Sequence, residues 1–427
     1  MTRPQQAHVV GAGLAGLAAA VRLSEAGIRV VVHEAAPQAG GRCRSYFDAA
    51  IGCRIDNGNH LLIAANKSAM AYVKASAARD TLVWPDETVY AFIDVTTGER
   101  WTFRPNSGRV PWWLFQRSRR VPGMRPADYL HGFRLMGAAP DDLVTEILPP
   151  GTAIYRRLWH PLAQAALNVQ PARGSAQLLA QVLRETIGAG GAACRPLVPR
   201  VGLSESLVDP TLATLARHGA VVRYGRLLRA VEGGDDGVTR LRFDDGDEVI
   251  TDKEAVVLAV PPAAAARLLP WIVAPDEFRA ILNAHFLCSA PEHAPLFVCV
   301  IGGTAEWVFK KHEVLSVTIS AADRFVDVPS AELAPLLWDD VRRAYGLGER
   351  PMPRWQIVKE RRATFAATPE QQRKRPAAQT RWRNLVLAGD WINTGLPATI
   401  ESAIRSGFAA AQELMVGPDE HRPVDGN

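Results

Sequence analysis

The sequence predicts an α/β protein in which a parallel, nucleotide-binding sheet is interrupted by a second, α+β domain. Three observations point to it. A strand-like HVV (8–10) runs directly into GAGLAG (11–16) and a helical stretch from Ala15 to Ala26. Near the other end, NLVLAGD (384–390) is again an apolar strand closed by a glycine, with a helical repeat after Pro397. Between them EAVVLAVPP (254–262) reads as another buried strand ending in proline, while the intervening segments show neither repeats nor low complexity.

The first sixty residues form a βαβ unit. Gly27 closes the first helix and IRVVVHE (28–34) returns as a second strand. Gly11 permits the tight turn, Gly13 lets the backbone approach a pyrophosphate, and Gly16 lets helix and strand pack closely. The helix start at Leu14 and Ala15 offers unpaired N–H groups and a partial positive charge to phosphate. Glu34 lies 21 residues beyond Gly13, at the end of the second strand, where a carboxylate accepts both hydroxyls of an adenosine ribose and disfavours a 2′-phosphate. PQAGGRCRS (37–45) then adds a second glycine pair followed by Arg42 and Arg44. An NAD site does not require them; a longer ligand with a second backbone approach and a guanidinium partner, FAD, does.

Bulk properties exclude several classes. With 427 residues, 48% hydrophobic and 22% charged, the chain is long enough for several packed cores. A formal charge of +5 without long basic runs gives no support to a nucleic-acid partner. Five cysteines form no CxxC pair and no metal-ligand spacing, so no metal is expected and reduced thiols in a cytoplasmic compartment are the simplest reading. No leader and no run of about 18 apolar residues is apparent, so no helix should span a bilayer and the Asn66-Lys67-Ser68 sequon is accidental. Residues 417–427 read as a disordered tail.

At the C-terminal end, Gly389-Asp390 terminates a strand, and Ile400, Ile404, Phe408 and Ala411 recur at helical spacing. This is a second strand-to-helix anion site. The segment VGLSESLVDPTLATLARHGAVVRYGRLLRAVEG (201–233) reads as a helix, Gly219 and a strand pair.

RIDNGNHLL (54–62) sets Asp56, Asn57, Gly58, Asn59 and His60 abruptly against an apolar run. His60 titrates in a range suited to an acid; the bland alternative is a structural histidine. Asp56 and Asn57 read as holding a turn through nearby backbone N–H groups, and Gly58 as a close backbone approach. His285 in NAHF and Glu306 in GTAEW are further polar residues in apolar settings.

In their order, GAGLAG, Glu34, the GGR of Gly40-Gly41-Arg42 and the GDW beginning at Gly389 resemble the flavin-containing amine oxidase and carotenoid-desaturase superfamily. The resemblance implies a glutathione-reductase-like FAD-binding domain in three parts (1–65, 198–264, 382–416) interrupted by a substrate domain in two (66–197, 265–381). It implies FAD held by Gly11, Gly13, Leu14, Ala15, Gly16, Glu34, Gly41 and Arg42. It places Asp390 near the ribityl and phosphate region, the backbone of Thr399 and Ile400 at the pyrimidine edge, the backbone near Leu228 against the adenine, and RIDNGNH beside the isoalloxazine ring, with Asn59 and His60 toward the substrate cavity.

IVKERRATFAATPEQQRKRP (357–376), LAGDWINTGLPATIESAIRSG (387–407), GLSESLVDP (202–210), AACRPLVP (192–199) and NAHF (283–286) resemble more narrowly the squalene-associated, desaturase-like hydroxysqualene dehydroxylases. That implies an FAD-dependent oxidoreductase acting on a C30 isoprenoid: an allylic alcohol loses its hydroxyl and gains hydride, in a long apolar pocket walled by tryptophans. Catalytic candidates are His60, Asn59 and Asp56. A carotenoid or phytoene desaturase or an amine oxidase shares the fold and is the alternative. A prenyl-binding protein without redox chemistry would have no reason to keep all four motifs. The electron donor is not identified by any second nucleotide fingerprint.

VPWWLFQRSRRVPGMR (110–125) sets Trp112, Trp113, Leu114 and Phe115 beside Arg117, Arg119, Arg120 and Arg125. The pairing suits peripheral contact with the inner face of a membrane; a core-packed aromatic cluster beside a solvated basic loop is the alternative.

Overall fold

The computed structural model describes residues 3–416, so the tail expected at 417–427 lies outside the described residues. β1 (Gln6–Val10), α1 (Leu14–Glu25) and β2 (Arg29–His33) form the first crossover. The strand runs are short and β-branched, and α1 is apolar almost all round. Leu14 to Val21 are all buried, as a helix between a sheet and a second helix must be. Five strands make a fully parallel sheet in the order Val221–Arg223, β2, β1, Glu254–Leu258, Leu385–Leu387. Its strands come from three separated stretches of chain, so its core is closed only when both ends of the sequence meet.

The C-terminal helix, Ile400–Met415, lies along α1. A side chain at Gly407 would bring a Cβ to 2.1 Å from the carbonyl oxygen of Ala15, so the two helices touch backbone to backbone there. The helix begins three residues later than Pro397, at Ile400, because Thr399 caps it: its hydroxyl accepts the N–H of Ser402 at 3.1 Å.

The strand pair expected over 201–233 is not a pair. After the helix Asp209–Arg217, Val221–Arg223 joins the edge of the parallel sheet beside β2, whereas Leu228–Gly233 heads a separate antiparallel sheet with Val238–Phe243 and Gly246–Val249. A four-residue link cannot return a chain to a parallel neighbour. Gly225, at φ 69°, turns it out of the sheet. Arg226 fixes the exit through Asp245 at 2.8 Å and Glu248 at 2.7 Å.

A seven-stranded sheet dominates the second region, in the order Trp355–Phe365, Phe278–Leu287, Val314–Ile319, Trp307–Lys311, Phe297–Ile301, Tyr90–Asp94, Arg100–Phe103. One face packs against the helix Ser330–Tyr345 through Leu333, Leu337, Trp338 and Val341. Cross-strand register puts Phe92, Cys299, Trp307 and Phe309 on the opposite face, continuing into Ser316, Thr318, Asn283 and His285. That face is therefore aromatic at one end and polar at the other. The polar end meets the RIDNGNH segment.

Residues 112–115 form one helical turn. Trp113 and Leu114 are buried and Trp112 and Phe115 face solvent, so the aromatic cluster is divided between the core and the surface. On a single helical turn residues three apart share a face, so Trp112 and Phe115 project together while Trp113 and Leu114 anchor the turn. No helix among the described residues is long and apolar enough to cross a membrane.

Candidate active site

At the first turn of α1 no side chain caps the helix; Gly13 stands at the N-cap in extended conformation, φ −73° and ψ 174°. A Cβ at Gly13 would have no protein atom within 4 Å, whereas one at Gly16 would lie 1.9 Å from the carbonyl oxygen of Gly11. The two glycines thus do different things: Gly16 lets helix and strand close, and Gly13 leaves a space open. The second glycine pair folds back onto the first. The N–H of Gly40 donates to the carbonyl of Ala12 at 2.8 Å, and Gly41 rests against the Cα of Gly13. Glu34 is fixed by two backbone donors, Ala12 at 2.7 Å and Ala36 at 2.8 Å, and stays half-buried with its remaining acceptor capacity outward.

Arg42 joins the two chain ends. Its guanidinium donates to Asp390 at 2.7 Å and to the carbonyl of Ala363, and the Asp390 carboxylate raises its pKa. Asp390 is buried behind Gly389. Arg375, unnoticed in the sequence, braces the same turn through the carbonyls of Asp390 and Trp391 at 3.2 and 3.3 Å; burial lowers its pKa to about 10. The N–H groups of Ile400 and Glu401, at the open end of the C-terminal helix, have no partner among the described residues. Leu228 is buried in the antiparallel sheet opposite Phe243.

The RIDNGNH segment differs from the local turn expected of it. Asp56 ends a strand, accepting the hydroxyl of Ser45 across the hairpin at 2.6 Å, and its other partners come from far along the chain: the N–H of Leu203 at 2.9 Å and the ammonium of Lys311 at 2.5 Å. Burial alone would raise its pKa. Lys311 and the two hydrogen bonds outweigh that and hold it below the usual carboxylate range. It is a clamp between regions and does not hold a turn. Gly58 is not in the left-handed region, and a Cβ there would sit 3.4 Å from Asn283, ordinary contact. The protein itself does not require glycine there.

Asn59 docks onto the polar end of the large sheet, donating to Ser316 Oγ at 2.7 Å and Thr318 Oγ1 at 2.9 Å, while its Oδ1 has no partner. Ser316 also bonds His285 Nδ1 at 2.8 Å, and Thr318 donates to Asn283 at 2.8 Å. Burial lowers His285 to about 3. His60 lies beside this network. Burial first, then the nearby cations of Lys311 and Arg42, lowers its pKa to about 4, so at neutral pH it is an uncharged imidazole and not the resting acid its ordinary titration range promised.

Two residues along the sheet from Thr318 the environment reverses. Glu306 accepts from the backbone N–H of Ser320 at 2.8 Å and from the carboxamide of Gln164, and burial raises its pKa to about 7. Gln164 Oε1, on the carboxamide that meets Glu306, has no partner, and neither does the buried indole N–H of Trp307, the next residue in the chain. A carboxyl with no paired cation in an aromatic wall is held close to protonation at neutral pH. The sequence places Glu306 behind His60, Asn59 and Asp56 as a catalytic candidate, because the desolvation comes from helix and strand neighbours remote in sequence.

Residues 14–290 and 299–415 match the family described as flavin containing amine oxidoreductase. The chain belongs to that family. It is an FAD-dependent oxidoreductase. It is 50% identical over 410 residues to a hydroxysqualene dehydroxylase of Rhodopseudomonas palustris, covering 96% of this chain and 98% of that one. It is 48% identical to one of Sinorhizobium fredii at the same coverage. A probable zeta-carotene desaturase of Synechococcus elongatus is 23% identical, with 95% and 98% covered. Among solved structures, an oxidoreductase from Methanosarcina mazei superposes with a TM-score of 0.71 at 14% identity, covering 95% of this flavoenzyme and 100% of that chain. Cyclohexylamine oxidase from Brevibacterium oxydans gives 0.66 at 15%, with 96% and 99% covered. These two speak for the fold.

Proposed function

We propose that this flavoenzyme reductively removes the allylic hydroxyl of hydroxysqualene to give squalene. The observation that carries the reading is near-half identity, along almost the whole chain, to relatives named for that reaction. The 23% likeness to a desaturase makes carotenoid desaturation the second reading.

The residues present fit FAD. The uncapped start of α1 at Leu14 and Ala15, with open space over Gly13 and Gly41 behind it, suits a pyrophosphate. Glu34 suits the ribose hydroxyls, Arg42 and Asp390 the ribityl and phosphate side, and the free N–H groups at Ile400 the flavin pyrimidine, where negative charge grows on reduction. Leu228 is the proposed backbone neighbour of the adenine. We take the domain boundaries at 65, 197, 264 and 381 as part of the same reading. Reduced FAD, when bound, supplies the hydride.

This chain's side chains then have separable tasks. Glu306, with its pKa raised to about 7, donates a proton to the departing hydroxyl, and Gln164, bonded to it, holds its carboxyl in place. Neutral His60, with Asn59 fixed on the sheet, faces the reacting carbon without adding a charge that would repel an allylic cation. Asp56 acts at a distance, by locking the segment. The aromatic face of the sheet excludes water that would recapture the cation.

Purified protein incubated with hydroxysqualene and a chemical reductant should form squalene, read by gas chromatography. Phytoene desaturation without squalene formation would overturn the assignment.

A further inference from the structure

Exposed large apolar side chains are mostly scattered singly over this molecule, which is ordinary. Five of them, however, fall in one short stretch: Val110, Trp112, Phe115, Leu130 and Phe133, between 45% and 77% exposed. Packing fixes this exposure. Trp113 lies edge-on to both Phe103 and Tyr129, with ring centroids 5.0 and 5.4 Å away, and the Tyr129 hydroxyl accepts the N–H of Val121 at 2.9 Å. The two turns are clamped side by side on the core of the substrate region, and the residues flanking the clamp cannot turn inward.

The charge around them is one-sided. Residues 109–134 carry Arg109, Arg117, Arg119, Arg120, Arg125 and Arg134 against one acidic residue, Asp128, an excess equal to the chain's whole formal charge of +5. The Asp128 carboxylate is taken by the N–H of Arg125, and none of the six arginines is paired with a carboxylate among the described residues. Arg119 lies over the Trp112 ring at 5.1 Å.

We propose that the surface formed by residues 109–134 docks this enzyme on an anionic lipid bilayer, apolar side chains entering the interface and arginines meeting the headgroups. Aliphatic Val110 and Leu130 suit hydrocarbon better than stacked bases, and an isologous contact with a second copy would set like charges face to face. The proposal deepens the functional reading and rests on it for its purpose: a C30 hydrocarbon alcohol is dissolved in membrane.

The test is co-sedimentation of the FAD-loaded protein with vesicles of phosphatidylcholine alone and with phosphatidylglycerol added. Wild type should bind the anionic vesicles and release at about 0.5 M salt. Val110→Ser/Phe115→Ser/Phe133→Ser should weaken binding at least tenfold, and Arg109→Gln/Arg117→Gln/Arg134→Gln by roughly fivefold per charge. In both variants the flavin absorbance and turnover of detergent-dispersed substrate should be unchanged. Absence of vesicle binding, or binding kept by both variants, overturns the proposal. So does concentration-dependent self-association that the serine variant abolishes without any vesicle binding. Because sedimentation needs no substrate, vesicle binding without squalene formation would refute the reaction and leave the docking surface standing.

Discussion

Replacing Gly13 by alanine separates what the fold needs from what the ligand needs. The built Cβ meets nothing within 4 Å, and φ −73°, ψ 174° is open to any residue. The FAD-free protein should therefore fold as before, or gain about 0.4–1 kcal/mol from a stiffer unfolded chain. If the pyrophosphate lies over Gly13, the methyl lifts it off the uncapped N–H groups of α1. One charge-assisted hydrogen bond lost, at about 1.5–3 kcal/mol, raises the FAD Kd roughly 10- to 100-fold. Titrating FAD into stripped protein by flavin fluorescence, beside a thermal melt of the stripped protein, reads both. Gly16→Ala is the contrast, since a Cβ 1.9 Å from a backbone oxygen must distort the turn and lower the melt itself. A Kd within threefold of wild type, or a Gly13→Ala protein that melts as low as Gly16→Ala, would refute the reasoning.

Lys311→Met should cost about 3–5 kcal/mol by leaving Asp56 charged and unpaired; urea unfolding measures it, and Asp56→Asn in the same chain should restore part. Because the folded Asp56 pKa is depressed, its stabilisation is present above the ordinary carboxylate pKa and lost as pH falls through the lower folded value, so Lys311→Met should flatten acid unfolding below about pH 4. Glu306→Gln should cut turnover by about 10²–10⁴-fold with FAD content unchanged. Wild-type activity should decline above the raised pKa of about 7 as the acid form disappears, and a wild-type profile flat through that value would remove Glu306 as the donor. His60→Ala should retain FAD and lose turnover. With its pKa lowered to about 4, His60 is neutral throughout neutral pH, so the residual turnover of Glu306→Gln should stay flat through the ordinary histidine range.

The nucleotide end of the molecule was legible because its chemistry is local. GAGLAG, Glu34 and Gly40-Gly41-Arg42 are separated by a single helix and strand, so spacing alone brings them together. The RIDNGNH segment was legible as a polar cluster set against the core, and its contacts were misread in detail. Asp56 has the form of a turn residue, but its partners Leu203 and Lys311 are 147 and 255 residues away. His60 has an ordinary titration range until burial and two remote cations remove it. Trp113 and Phe115 carry similar apolar side chains, and only the packing against Phe103 and Tyr129 sorts one inward and the other outward.

By itself the sequence determined the strand-helix-strand unit at the start of the chain and the glycines and acidic residue set around it, since each follows from propensities and spacings within about thirty residues. The tertiary structure alone decided which carboxyl keeps a proton. Asp56 and Glu306 are the same functional group, and desolvation pushes both upward. Lys311 reaches the first, and no paired cation reaches the second, so the fold drives their pKa values in opposite directions.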